Sequence, residues 1–230
     1  MTTFYEQIQS ATRTEQEQLF RIPFVAAAVQ GALTRPEYIA FLTQAYHHVK
    51  HTVPLLLAAR DALPERCRWM AAELDTYVDE ETGHEQWILD DIAACGGDAE
   101  SVRRGEPDMP CEVMVAHAYD LIARRNPAGF FGMVHVLEGA SVRGATTAAH
   151  ALQAHLGLPD AAFTYLTTHG DLDTDHVQFF ESIVNRVDDE GDRRMIEHCS
   201  KVFFSLYGNI FRALSPRETR ATTQEVGTCN

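Results

Sequence analysis

Apolar residues recur at steps of three and four from one end of this chain to the other, and no stretch sustains the alternation a half-buried strand would need. That periodicity leaves an all-α protein as the fold class, and seven or eight helices are expected. Proline at first-turn positions and glycine or asparagine at stops mark the boundaries. A first helix is expected over roughly 3–18 and a short one near 23–31. Thr34 opens a long helix to about Leu63, with Glu37 completing a capping box. Pro64 starts the next helix, which runs to Cys95 and stops at Gly96-Gly97. A polar connector over 98–109 follows, with room for one short turn. Further helices are expected at about 110–125, 127–155, 159–186 and 189–214. Residues 1–214 read as one helical domain and 215–230 as a disordered tail. Long helices joined by short connectors make a bundle, in which facing side chains build metal and cofactor sites.

The charge balance is 19 basic against 33 acidic residues, net −14 with histidine neutral. No run of lysine and arginine occurs, so neither nucleic acid nor an anionic membrane is an expected partner. The opening MTTFYEQIQS lacks the basic and apolar regions of a secretory signal, and no apolar stretch approaches bilayer length, which suggests a cytoplasmic protein. Five cysteines without C-x-x-C spacing read as free thiols and argue against a zinc-thiolate site.

Charge inside the apolar patterns is the more telling signal. Glu81 and His84 fall on the stripe Leu74, Tyr77, Glu81, His84, Ile88, although an E-x-x-H can equally be a surface ion pair. Glu80 and Glu85 read as surface charges. Glu138 interrupts the run Phe131, Val134, Glu138, Val142; the alternative to ligation is a buried pair with His135 or Arg143. His169, Asp173 and His176 are spaced +4 and +7 on one narrow face, with a hydrogen-bonded structural network as the alternative. Isolated carboxylates do not leave water unless something compensates them. Three carboxylates with three imidazoles are a donor set for two iron or manganese ions.

The pattern E-x-x-H, then E, then H-x-x-x-D-x-x-H resembles the haem-oxygenase-like diiron oxidases, relatives of the TenA thiaminases and the PQQ-synthesis oxidase. The resemblance covers roughly residues 15–213 and includes Ile22-Pro23-Phe24-Val25 and Leu137-Glu138-Gly139. It implies a haem-oxygenase-like bundle in which Glu81, His84, Glu138, His169, Asp173 and His176 hold two Fe(II) ions, with manganese as the other candidate metal. It also implies an enzyme that activates O2 to oxidise a small-molecule substrate, such as an amino acid or fatty acid, with an electron donor and a homodimer as further possible partners. Some members supply another carboxylate from the long early helix. Here the stripe Leu42, Tyr46, Val49/Lys50, Val53, Leu57 offers Lys50 instead, flanked by His47, His48 and His51. Lys50 and Tyr46 are therefore carried as candidate catalytic residues, against the alternative that Lys50 snorkels to the surface. Tyr46, Tyr77, Trp87, Phe130, Phe131, Tyr165 and Phe179 are candidates to line a cavity, and Arg143 to hold a substrate carboxylate. Competing functional readings are a TenA-like thiaminase with a cysteine nucleophile, haem binding, and a non-catalytic metal-containing interaction protein.

Overall fold

The computed structural model describes residues 2–215, apart from the side chains of residues 169–175. Twelve α-helices and three short 3-10 segments occur among them, and no strand. The helices are α1 (Phe4–Ala11), α2 (Arg13–Phe20), α3 (Pro23–Val29), α4 (Arg35–Val49), α5 (Thr52–Ala62), α6 (Ala71–Glu81), α7 (His84–Ala94), α8 (Ala99–Arg104), α9 (Met109–Arg124), α10 (Phe131–Leu156), α11 (Thr164–Val184) and α12 (Glu190–Leu214). The count exceeds the expected seven or eight because three long apolar stripes are each broken. The expected 3–18 helix breaks at Thr12, whose buried hydroxyl donates to the Ile8 carbonyl and bends the chain. The expected 34–63 helix breaks at Lys50–His51: the Pro54 ring has no N–H and would clash with the carbonyl four residues back, that of Lys50. The expected 64–95 helix breaks at Thr82–Gly83, where Thr82 is extended and Gly83 adopts a left-handed φ of 96°.

Local chemistry accounts for the helix starts. Thr34 Oγ1 accepts from Glu37 N while the Glu37 carboxylate accepts from Thr34 N, which is the capping box read from the sequence. Thr3 and Glu6 repeat it at α1. α10 ends at Gly157, left-handed at φ 63°, two residues before Pro159.

α10 and α11 pack along their lengths and α12 covers α10 from another side. Gly132 permits that second contact, because a Cβ there would lie 2.6 Å from Ser200 N on α12. Tyr38, Tyr77, Phe131, Phe163, Phe180 and Phe203 are fully buried anchors of the core. α7 is tied to the start of α11 by Asp91, fully buried, whose carboxylate accepts from Thr164 N at 3.1 Å and Tyr165 N at 2.9 Å. Burial pushes the Asp91 carboxyl up to about 6, against the opposing pull of those two donors. Tyr38 donates to the Ala162 carbonyl at 2.9 Å and stacks on Phe163, fixing the same connector. The helices bearing His84 and His176 are thus held together near the start of α11. No helix among the described residues is long and apolar enough to cross a membrane.

Candidate metal centre

Three helices bring Glu81, Glu138 and His176 together. Each offers one ligand atom, and those atoms lie within 4.8 Å of one another. Glu81 is the last residue of α6, Glu138 sits on the second turn of α10, and His176 lies in the middle of α11. His176 Nδ1 is 3.3 Å from Glu138 Oε2 and 3.7 Å from Glu81 Oε1. Its other nitrogen, Nε2, is 3.4 Å from Glu80 Oε2. His84 Nδ1 lies 2.9 Å from the second oxygen of Glu81. Glu81, His84 and His176 are buried and Glu138 nearly so.

The break at Thr82–Gly83 shapes this arrangement. Within one helix, Glu81 and His84 would sit side by side on a surface row. With a left-handed glycine between them, α6 delivers the carboxylate from its C-terminus and α7 delivers the imidazole from its first residue. The His84 ring stacks on Trp87, centroids 4.1 Å apart and planes 24° apart, which limits its rotation. Tyr77 packs edge-on against His176 and donates to its carbonyl at 3.4 Å.

The donor set is suited to a divalent cation. The Glu81 and Glu138 carboxylates and the His84 and His176 imidazoles pair with one another at this depth, and their oxygen and nitrogen atoms are the mixed donor set that a divalent cation accepts in place of a proton. Of the six residues read as ligands, the structure brings together Glu81, His84, Glu138 and His176. His169 and Asp173 lie on α11 two turns and one turn before His176, and their side chains are outside the described residues. Glu80, which the sequence places among the surface charges, has a half-exposed side chain that nonetheless reaches His176. Its position next to Glu81 was the available signal, and a purely apolar reading of the stripe passes over it.

Lys50 and Tyr46, the candidate catalytic residues, are not among the described residues lining the cavity. Lys50 caps the C-terminus of α4, with its amine 3.1 Å from His47 Nδ1 and above the Tyr46 ring. His47 is held below its ordinary pKa by burial and then by the Lys50 charge. His51 pairs with Tyr119 on α9. Of the early-helix histidines, His48 lines the cavity at the metal centre. Arg143 is exposed and donates to Gln16 at 2.6 Å, and His135 lies against Thr12 and Phe180, so neither is paired with Glu138 by these contacts.

A cavity of about 150 Å³ opens from Glu81 and Glu138. Of the aromatics expected to line it, Tyr165 does; the rest of its aromatic wall is Phe20, Phe24, Phe41, Tyr207 and Phe211, from helices that carry none of the six residues read as ligands. The four described cysteines are buried free thiols outside that lining. Burial raises Cys67 and Cys111 to about 12 and Cys95 and Cys199 to about 11, which makes each a poor nucleophile. The thiaminase reading therefore has no described cysteine to act through.

Residues 39–207 match a family described as iron-containing redox enzymes. The chain belongs to that family. Its fold is that of the haem oxygenases and TenA proteins. A haem-oxygenase-like domain of unknown function from Shewanella denitrificans superposes with a TM-score of 0.80 at 22% identity, covering 90% of each chain. A TenA homologue from Pseudomonas syringae gives 0.77 at 9% identity over 91% of each. Haem oxygenase-1 from Synechocystis, in complex with haem, gives 0.71 at 12% over 92% of each. Comparison with curated proteins found no match.

Proposed function

We propose that the protein is a non-haem iron oxidoreductase that uses O2 to oxidise a small organic metabolite. The observation that carries the proposal is the convergence of Glu81, Glu138 and His176 beneath an apolar cavity, in a chain of an iron-containing redox family. The ligands proposed are Glu81, His84, Glu138 and His176, with His169 and Asp173 from the same α11 face. Their number and type suit two Fe(II) ions, with manganese as the competing metal. When bound, iron would supply the dioxygen activation and electron transfer that side chains alone cannot.

The chain's own residues have separable tasks in this reading. Glu81 and Glu138 neutralise cationic charge and fix the donor geometry. His176 presents Nδ1 to both carboxylates, and with Glu80 3.4 Å from Nε2 a proton kept on Nε2 would leave Nδ1 as the coordinating nitrogen. Trp87 holds the His84 ring in plane. The apolar wall excludes water from the reacting centre and leaves the substrate as the group in reach.

Anaerobic loading with Fe(II), followed by exposure to air, tests the proposal. About two irons per chain are expected, with O2 consumed on oxidation. Failure to retain iron, or iron retention indifferent to Glu81→Ala and Glu138→Ala, would refute it.

A further inference from the structure

The cavity has a direction and a chemical character that narrow the substrate. Glu138, Ser141, Ala145, Ala148 and Leu152 follow one another at steps of three and four, so they line it along a single face of α10. Fourteen residues separate the first from the last, which at the helical rise is roughly 21 Å. A volume of about 150 Å³ strung over that distance is a slot rather than a bowl. Its opposite wall is apolar, built from residues such as Phe24, Val25, Ala28 and Val29 of α3 and Phe211 of α12. The slot is kept open by small residues: at Gly144 a Cβ would already approach the Phe20 ring to 3.0 Å.

Charge is absent from the far part of the slot. Among the described lining residues there is no lysine, arginine or aspartate, and the two glutamates are those of the metal centre. A substrate that carries a second charge at its far end, such as the side-chain ammonium of lysine, would have to leave it unpaired between α3 and α10, which is costly. Arg143, the obvious guanidinium on α10, lies outside the lining and is bonded to Gln16.

We infer that the substrate is an extended, unbranched aliphatic chain whose uncharged tail lies along the Ser141–Leu152 face of α10, and that Ala148 and Leu152 set the longest tail accepted. This rests on the proposed function, since it takes Glu81 and Glu138 as the reacting end. Tail binding, however, needs no metal, so the two can fail separately.

The test is binding of a series of 1-alkanols, from 1-hexanol to 1-octadecanol, to the metal-free protein, followed calorimetrically, with L-lysine and L-glutamate as competitors. Affinity should rise with chain length to a cut-off, and neither amino acid should compete. Ala148→Phe should move the cut-off to shorter chains and weaken the longest accepted alkanol about tenfold or more, while hexanol is unaffected. Leu152→Ala should move the cut-off to longer chains. A misfolded variant would instead lose all lengths alike, and the opposite shift in Leu152→Ala separates the two outcomes. No alkanol binding, displacement by the amino acids, or a cut-off unchanged in a Leu152→Ala protein would overturn the inference. Iron loading retained in that case would leave the proposed function standing.

Discussion

Two buried carboxylate clusters in this bundle are built on opposite plans. At the start of α12, Asp192 is 1% exposed and accepts from Arg66 Nε at 2.9 Å, Arg66 Nη2 at 2.6 Å, Asn126 Nδ2 at 2.7 Å and Cys67 Sγ at 3.2 Å. Burial alone would raise its pKa, but the donors, Arg66 first, outweigh burial and hold it below the usual carboxylate value. Its lone pairs face hydrogen-bond donors, and it joins the Glu65–Met70 turn, Asn126 and α12 into one structural staple. At the other cluster, Glu81 and Glu138 point with His176 at a common region instead. The partners of Asp192 are a guanidinium, an amide and a thiol, which only donate to it, whereas Glu81 and Glu138 meet imidazoles, whose nitrogens can carry either a proton or a metal. That difference, more than burial or residue type, separates a structural acid from a candidate ligand.

Substitution should expose the contrast. Glu138→Ala is expected to lower Fe(II) affinity by at least about 100-fold, measured by anaerobic titration. Its metal-free thermal stability should fall by only about 1 kcal/mol or less, because Glu138 is partly exposed and loses a contact to an imidazole rather than to a guanidinium. Asp192→Ala should do the reverse: a loss of about 3–5 kcal/mol in denaturant unfolding with the metal affinity of the folded fraction retained. Equal destabilisation by both would erase the distinction drawn here.

A third buried polar group sharpens the electrostatic side. His135, one turn before Glu138, is pushed down to about 4 by burial, so the folded protein keeps it neutral. The unfolded chain takes up its proton below about 6.5, and stability should therefore fall as pH drops from about 6.5 to about 4. Asp91 acts with the opposite sign. Its carboxyl is raised to about 6, so stability is lost as pH rises from about 4 to about 6. The wild-type profile should be comparatively flat across that window. His135→Phe should unmask a decline toward pH 6, on the order of 2–3 kcal/mol, in urea melts at stepped pH.

Smaller effects probe the aim of the ligands. Gly83 has φ 96° and open space around it, so Gly83→Ala carries backbone strain of about 1–2 kcal/mol and no steric clash. Differential scanning should register that as a lowered Tm, and iron affinity should fall with it as Glu81 and His84 lose their relative placement. Glu80→Gln should be the mildest, with metal affinity reduced about tenfold and stability unchanged.

The sequence carried the helical class, the capping boxes at Thr34 and the Pro- or Gly-marked ends, because those depend on local chemistry. It also singled out Glu81, Glu138, His84 and His176, which converge, since a charge in an apolar stripe is visible without coordinates. The breaks at Lys50–His51 and Thr82–Gly83 were passed over: periodicity of three and four continues through a kink, and only the Pro54 clash and the φ of Gly83 reveal it. One break ends α4 at Lys50, and the other turned E-x-x-H from a row on one helix into a pair spanning two. The aromatic wall was illegible for a different reason. Phe24, Phe41 and Phe211 are ordinary core residues in their own helices and meet only through tertiary packing.

The central claim is that a cation, not a hydrogen-bond donor, completes the Glu81–Glu138–His176 cluster. Anomalous scattering at the iron edge, from crystals loaded anaerobically with Fe(II), addresses it directly. The account predicts density within bonding distance of Glu81, Glu138 and His176. Iron found only elsewhere on the chain, or a saturated crystal with no iron at that cluster, would contradict it.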